Sequence, residues 1–255
     1  MLRAVTPIEA LVVVLAGLGA GALNAIVGSG SLITFPTLLA VGLPPVTANV
    51  SNTIGLLPGG VSGTLGYRRE LAGQRDRLVR LGVAGLLGGT TGAALLLALP
   101  PEAFEVVVPF LLLFAAGLTA VQPALTRRIE HVRARPAHGN PLVVFAVYLT
   151  GIYGGYFGAG QGVILLAFLL LLVNDDPQRL NGLKNAVIVG VNAIAALIYA
   201  VVAPVDWLAV ALIAAGSILG GLLGAGVGRR LPPTALRIAI VVLGTAVGLR
   251  LLLLP

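Results

Sequence analysis

The feature that most constrains the fold of this chain is an internal duplication. The segment at 87–93 reads LGGTTGA and recurs at 219–225 as LGGLLGA, and each copy is followed by Leu-Pro-Pro six residues later. The copies lie 132 positions apart, an offset that also pairs Asn49 with Asn181. Nearer the start of each half the offset is 130, where Gly28 pairs with Gly158. A unit of roughly 120 residues is too long for a solenoid repeat, so it predicts two homologous halves.

Composition places these halves in a lipid environment. The chain is 58% hydrophobic and 10% charged, whereas soluble domains carry about 25% charged residues. Eight apolar runs approach the roughly 20 residues of a membrane-spanning helix. They cover 8–27, 46–66, 78–99, 103–122, 141–158, 182–202, 207–227 and 234–254. The first run resembles a signal peptide, but its counterpart in the second half is internal, so we interpret it as a retained helix.

The predicted organisation is a first transmembrane repeat at 1–122, a basic cytoplasmic linker at 123–140 and a second repeat at 141–255. Each repeat also holds a short apolar piece, at 31–43 or 163–173, that follows a glycine run. If these pieces are re-entrant, each half crosses four times and the halves are parallel. If they cross, each half crosses five times and the halves are inverted. A helix of about 14 residues spans about 21 Å of a core about 30 Å thick. We therefore expect an all-α membrane protein with about eight transmembrane helices in two homologous four-helix halves.

The charge pattern fits loops at a membrane rather than a nucleic-acid site. Net charge is +7, and arginines crowd the segments 68–80 and 127–135, as the positive-inside rule describes for short cytoplasmic loops. We expect a multi-pass protein of the bacterial inner membrane with no nucleic-acid partner. The chain has no cysteine, and both histidines lie in the predicted linker. We also find no familiar catalytic motif, so we expect no cofactor, no metal site and no enzyme activity.

Polar residues within the apolar runs predict the functional site. Such residues are costly in a membrane, yet they recur at matched places on two polar helix faces. One face holds Asn49, Asn52 and Thr53, and the equivalent face of the second half holds Asn181, Lys184, Asn185 and Asn192. Glycine runs at 28–30 and 158–160 interrupt the helices at matched places too, which is typical of broken helices around a cavity. We expect the two faces to meet at these breaks across a pseudo-symmetry axis. The predicted substrate-binding residues are Asn24, Gly28, Ser29, Gly30, Ser31, Thr34, Asn49, Asn52, Thr53, Gly158, Gly160, Gln161, Asn181, Lys184 and Asn185.

The only lysine, Lys184, indicates the charge of the ligand. An unpaired lysine at the bilayer centre costs about 3 kcal/mol. A cation, amide donors and helix N-termini together favour a small anionic substrate. In the alternative interpretation, Lys184 extends to the interface and the asparagines join neighbouring helices.

The ordered motifs resemble the TauE/SafE family of sulfite exporters, also called the TSUP family. The resemblance covers nearly the whole chain. The matching segments are 17–21 with 28–30, 36–39, 48–53 with the end of its helix at 67–69, 151–162, and the LGGxxGA blocks of both halves. One departure is that Ser31 and Leu32 stand where further glycine is usual in the family. The resemblance implies a permease, commonly an exporter, for sulfite, sulfoacetate, thiosulfate or related organosulfonates.

Two other functions remain open at the level of sequence. Polar faces and glycine-lined segments would also suit a channel for a small anion or neutral solute. A membrane partner protein without transport activity would instead act through the loop at 123–140. Glycine-rich helix faces are also compatible with a homodimer, and the substrate, direction and coupling ion stay undetermined.

Overall fold

The computed structural model describes residues 6–26, 28–130, 141–227 and 233–253, and these residues form ten α-helices without a strand. The helices are α1 Pro7–Ile26, α2 Ser31–Ala40, α3 Pro45–Gly66, α4 Arg75–Ala98, α5 Pro101–Glu130, α6 Pro141–Tyr156, α7 Gln161–Leu172, α8 Pro177–Val202, α9 Trp207–Val227 and α10 Pro233–Leu253. Within these ranges, α1, α4, α5, α8 and α9 are long and apolar enough to cross a membrane. The all-helical prediction is confirmed for the described residues.

Local sequence explains where several helices begin. Proline opens α1, α3, α5, α6, α8 and α10, a position where its missing N–H would have had no partner inside the helix. Asp176 caps α8 by accepting hydrogen bonds from the N–H groups of Gln178 at 2.9 Å and Arg179 at 3.3 Å. Helix α5 continues to Glu130, so residues 123–130 of the predicted linker are helical. The remainder of that linker, 131–140, lies outside the described residues.

The most extensive helix contacts join one half of the chain to the other. Helices α1 to α5 correspond in order to α6 to α10, yet α1 packs on α9 and α4 packs on α6. In the second half Gly220 lies against the backbone of Leu18, and in the first half Gly88 lies against the backbone of Tyr148. The repeat relates these two contacts, because each pair is the counterpart of the other. Small residues allow this close packing of helices.

Neighbouring contacts fix the direction of the helices. Gly17 lies against Ile213 of α9, and one turn later Gly21 lies against Ser217. The same two residues of α9 contact successive glycines of α3. Helices α1, α3 and α9 are therefore parallel. Since α1 and α3 run in the same direction, the ten-residue helix α2 must carry the chain back between them.

The two halves run in opposite directions. Gly60 of α3 lies beside Val189 of α8, whereas Tyr67, farther along α3, lies beside Gly182, earlier in α8. Helices α3 and α8 are thus antiparallel, although they are counterparts. The preferred prediction of parallel four-crossing halves is wrong in this respect. A helix of about 15 Å is too short to cross a bilayer, but it still reverses the chain, so each half contains five alternating segments and the repeats are inverted.

This arrangement brings the basic loops together. The loop between α3 and α4, the end of α5 and the start of α8 lie at the same end of the bundle. We call this end the arginine-rich face; it carries Arg68, Arg69, Arg75, Arg77, Arg127, Arg128 and Arg179, with Arg80 just inside it on α4. The opposite end carries Glu9, Glu102, Glu105 and Asp206, together with Arg250, among the described residues. The arginine-rich face also holds acidic residues, but arginines outnumber them there, whereas acidic residues predominate at the opposite end.

Candidate functional site

The two predicted helix breaks contact each other directly. Gly28 and Gly158 adopt left-handed backbone conformations, with φ values of 83° and 80°. The N–H of Gly162, at the start of α7, donates a hydrogen bond of 3.2 Å to the carbonyl of Gly28. A Cβ atom on either Gly28 or Gly162 would overlap the backbone of the other. Glycine is therefore required both by the turn and by the crossing of the two breaks.

A cavity of about 40 Å³ lies beside this crossing, which exceeds the roughly 10–15 Å³ that one water molecule needs. Five repeat-related pairs line it: Gly28 with Gly158, Ser31 with Gln161, Leu56 with Ile188, Leu57 with Val189, and Gly60 with Asn192. Asn24, Ala25, Thr64 and Asn185 complete the lining. Counterparts on antiparallel helices meet only near the pseudo-symmetry axis. The cavity therefore lies on that axis, halfway along α3 and α8.

The cavity offers neutral hydrogen-bonding groups. Its described lining contains amides and hydroxyls but no ionisable side chain. The Oδ1 atom of Asn24 accepts a hydrogen bond of 2.7 Å from the Gly30 N–H, which leaves the amide NH₂ of Asn24 as a donor. The buried hydroxyl of Thr64 has no hydrogen-bond partner among the described residues. Because an unpaired buried hydroxyl is unfavourable, it marks a position where a ligand or water would be stabilised.

Several predicted donors are already bonded within the protein. The N–H groups of Gln161 and Val163 donate to the carbonyls of Gly158 and Gly160, at 3.1 and 3.0 Å. The amide of Asn185 donates to the Ala25 carbonyl at 3.2 Å. The backbone amides at the start of α7 are thus satisfied in this conformation, and the side chains of the cavity are its more accessible donors.

The two polar helix faces lie apart rather than facing each other. Asn49, Asn52 and Thr53 lie in the first half of α3, and Asn181, Lys184 and Asn185 lie in the first half of α8. Because α3 and α8 are antiparallel, the first halves of the two helices extend towards opposite ends of the bundle. The sequence prediction that these faces meet is wrong for this reason.

Most of the polar residues near α3 join helices. Asn49 donates to the carbonyl of Tyr156 at 2.9 Å, and the Thr34 hydroxyl donates to Asn52. In the same way, Ser29 shares a hydrogen bond of 3.1 Å with Thr119 of α5. Thr53, in contrast, donates to the carbonyl of Asn49 within α3, at 3.0 Å. These residues, together with Gly30 and Gly160, flank the cavity without lining it.

Lys184 is fully buried and lies next to the cavity rather than in its wall. Its exposed fraction is 0%, and its Nζ atom has no hydrogen-bond partner among the described residues. Full burial contradicts the alternative in which this side chain extends to the interface. The adjacent Asn185 lines the cavity, as does Ile188 one turn later. Lys184 is therefore a close neighbour, along α8, of residues that line the cavity.

The repeat explains why this lysine has no partner. Its counterpart Asn52 accepts a hydrogen bond from Thr34 of α2. The residue that corresponds to Thr34 in α7 is Ile164, which has no polar side chain. The second half thus lacks the neutral hydrogen-bonded pair of the first and has a lysine at that position.

An ion-pair network joins two loops on the arginine-rich face. Asp175, between α7 and α8, pairs with Arg77 at 2.6 Å and with Arg179 at 3.1 Å. Arg179 also donates to the carbonyl of Ala72 at 3.2 Å. Burial raises the pKa of the Asp175 carboxyl, but hydrogen bonds from Arg77 and the Asp176 N–H, with the charges of Arg179 and Arg77, outweigh it. The pKa of Asp175 therefore lies below its ordinary value.

Three polar or small positions of the cavity are absent from the predicted binding residues. The sequence places Asn192 on the polar face of α8 but not among those residues. Its counterpart Gly60 could have been identified from the repeat. Thr64 could not have been selected in this way, because its counterpart, Ala196, is apolar. Of the fifteen predicted residues, the cavity is lined by Asn24, Gly28, Ser31, Gly158, Gln161 and Asn185.

Interlocked inverted repeats around broken helices, with a polar cavity at their axis, define a membrane transporter. Comparison with known proteins agrees with this class. The profile of the family described as "Sulfite exporter TauE/SafE" matches residues 13–251. The chain belongs to this family.

Similar proteins carry transporter names. The chain is 25% identical over 236 residues to the "Probable membrane transporter protein ORF9" of a Sinorhizobium species, covering 92% of this chain and 89% of that protein. It is 29% identical over 213 residues to a "Probable membrane transporter protein" of Haemophilus influenzae, covering 82% and 81%. It is 27% identical over 174 residues to YfcA of Escherichia coli K12, covering 65% and 63%.

Proposed function

We propose that this protein is a permease that exports small sulfur-containing anions, such as sulfite, thiosulfate, sulfoacetate or other organosulfonates, across the bacterial inner membrane. The observation that carries the proposal is the cavity on the pseudo-symmetry axis, lined by neutral donors in a chain of the TauE/SafE family. Amide and hydroxyl groups bind the oxygen atoms of an anion through charge-assisted hydrogen bonds. Lys184 lies next to the cavity-lining Asn185 on α8 and, when protonated, adds positive potential in a region where low dielectric strengthens it.

The difference in charge between the two ends of the bundle suggests how the protein is oriented in the membrane. Short loops rich in arginine stay in the cytoplasm, so we assign the arginine-rich face to the cytoplasmic side. The first described helix then starts on the periplasmic side. This orientation is the one in which the predicted basic linker is cytoplasmic.

Alternating access fits the inverted repeats, because the two halves can exchange conformations about the cavity. Within the part of the chain that the structure describes, the network of Asp175 with Arg77 and Arg179 joins two loops on the arginine-rich side. At the corresponding position on the other side, the repeat places Asp206 for Gln74 and Ala209 for Arg77. There the N–H of Asp206 donates a single hydrogen bond of 2.9 Å to Ser51. We therefore assign closure of the cytoplasmic side to the ion-pair network.

Flux from proteoliposomes tests the proposed function. Purified protein would be reconstituted in liposomes loaded with sulfite, thiosulfate, sulfoacetate, sulfate, phosphate or acetate, and efflux would be measured against concentration. We expect saturable efflux of the sulfur anions. Efflux that rises linearly with concentration would favour a channel, and no efflux of any of these anions would overturn the proposal.

A matched pair of variants locates the site. Thr64→Val removes the unpaired hydroxyl of the cavity while keeping the shape of the side chain. A hydrogen bond to a charged group contributes about 1.5–3 kcal/mol, so substrate affinity should fall about tenfold or more. Thr90→Val makes the same change at an exposed position on α4 and should transport as wild type does. Equal affinities for the two variants would place the site elsewhere.

A further inference from the structure

A groove on the outer surface of the bundle combines an arginine with a mostly apolar wall, and none of its lining residues belongs to the transport cavity. It has a volume of about 540 Å³ and runs between α4 and α6. Its wall is mostly apolar, with Val83, Leu87 and Phe145 each more than half exposed. Arg80 lies at one end of the groove and Tyr148 lies deeper along it. In a membrane, such a surface contacts lipid.

The direction of the groove places its cation at headgroup level. Helix α4 begins at Arg75 on the arginine-rich face, and Arg80 follows five residues, or about 7.5 Å, along the axis. Leu87 lies about 10 Å deeper than Arg80. The groove therefore descends from the polar interface into the apolar layer, as a phospholipid molecule does.

The repeat supplies an internal comparison. The corresponding surface between α9 and α1 has Leu212 in place of Arg80 and Leu18 in place of Tyr148. The close glycine contacts are the same in both places, with Gly88 and Gly220 lying against the opposing backbones. The close helix contacts are therefore made with or without an arginine and a tyrosine at these positions, although the Tyr148 hydroxyl also lies 3.3 Å from the hydroxyl of Thr91 on α4. Both polar groups occur only on the leaflet side next to the arginine-rich face.

We propose that the groove between α4 and α6 is a binding site for one anionic phospholipid. The phosphate lies at the guanidinium of Arg80, which forms charge-assisted hydrogen bonds with phosphate oxygens. An acyl chain lies along Val83, Leu87 and Phe145. Basic positions between transmembrane helices at the cytoplasmic interface bind anionic headgroups in this way. The site is separate from the transport cavity and does not depend on the transported substrate.

Native mass spectrometry of the delipidated, detergent-solubilised protein tests this site. Phosphatidylglycerol and phosphatidylcholine with identical acyl chains would be titrated, and the dissociation constant of the first bound lipid compared. We expect phosphatidylglycerol to bind about fivefold more tightly or better, since one arginine near an anionic surface contributes about that factor. Equal binding of the two lipids by the wild-type protein would overturn the proposal.

Three variants separate this groove from the general charge of the face. Arg80→Leu, which installs the residue of the other half, should abolish the preference for phosphatidylglycerol. Arg68→Leu removes an exposed arginine outside the groove and should keep the preference. Leu87→Trp fills the groove without changing charge and should weaken binding of both lipids. A preference that survives in Arg80→Leu, or is lost equally in Arg68→Leu, would overturn the proposal. Size-exclusion profiles and helical content would show that each variant is folded.

Discussion

Replacing Lys184 by methionine should make the protein more stable and less active. The Nζ atom is fully buried and has no hydrogen-bond partner among the described residues. A buried polar group without a hydrogen bond costs about 1–3 kcal/mol, and methionine has a similar length without the amine. We therefore expect the free energy of unfolding to rise by about 1–3 kcal/mol and the export rate of sulfur anions to fall strongly. Such a combination is typical of a residue kept for function at the expense of stability.

The repeat provides a control with the opposite sign. Asn52 occupies the equivalent position but accepts a hydrogen bond from Thr34. Asn52→Leu leaves that hydroxyl without its side-chain acceptor and should lower the free energy of unfolding by about 1 kcal/mol.

Unfolding in detergent without substrate and efflux from proteoliposomes would be measured for both variants and the wild type. A Lys184→Met variant that is less stable than wild type would refute the inference that the Lys184 amine lacks a hydrogen-bond partner. A variant with normal efflux would refute its role in transport.

Further predictions concern packing, the ion-pair network and topology. Gly88→Ala places a Cβ against the Tyr148 backbone and should lower the free energy of unfolding by about 1–3 kcal/mol. Gly82→Ala, where a Cβ meets no atom within 4 Å, should raise it by about 0.5–1 kcal/mol, and equal effects in thermal unfolding would contradict the proposed packing. The pKa of Asp175 is lowered in the folded state, so its contribution is complete above the unfolded value of about 3.9 and disappears as pH falls through the folded value. Asp175→Asn should therefore unfold at a lower temperature than wild type at pH 7, with the difference shrinking towards pH 3, and a pH-independent difference would refute the ionic contribution. Because the chain has no cysteine, Arg68→Cys and Glu102→Cys are single labelling sites; a membrane-impermeant maleimide applied to intact spheroplasts should label only the second, and the reverse pattern would refute the proposed orientation.

The sequence by itself determined the class of the molecule. An apolar chain with few charges can bury its surface only in lipid, and a duplicated pattern of glycine breaks predicts two broken-helix halves. Helix starts were also local, because proline fits the first turn in both halves. The predicted residues at the breaks, Gly28 and Gly158 with Ser31 and Gln161, do line one cavity, since the repeat required them to be equivalent.

Only the tertiary structure decided the direction of the halves and which polar residues share a site. The number of times that each half passes through the bundle depends on whether α2 reverses the direction of the chain. Composition does not show this, because a short apolar helix has the same composition whether it reverses the chain or lies in a loop. Once α3 and α8 are antiparallel, Asn49 and Asn181 lie towards opposite ends of the bundle, while Gly60 and Asn192 both line the cavity at the axis. Helix packing likewise decided that Thr64 lines the cavity and that the Lys184 amine has no hydrogen-bond partner among the described residues. Sequence periodicity fixes the face of a helix on which a residue lies, but contact across two helices also depends on their relative direction and depth, which only packing sets.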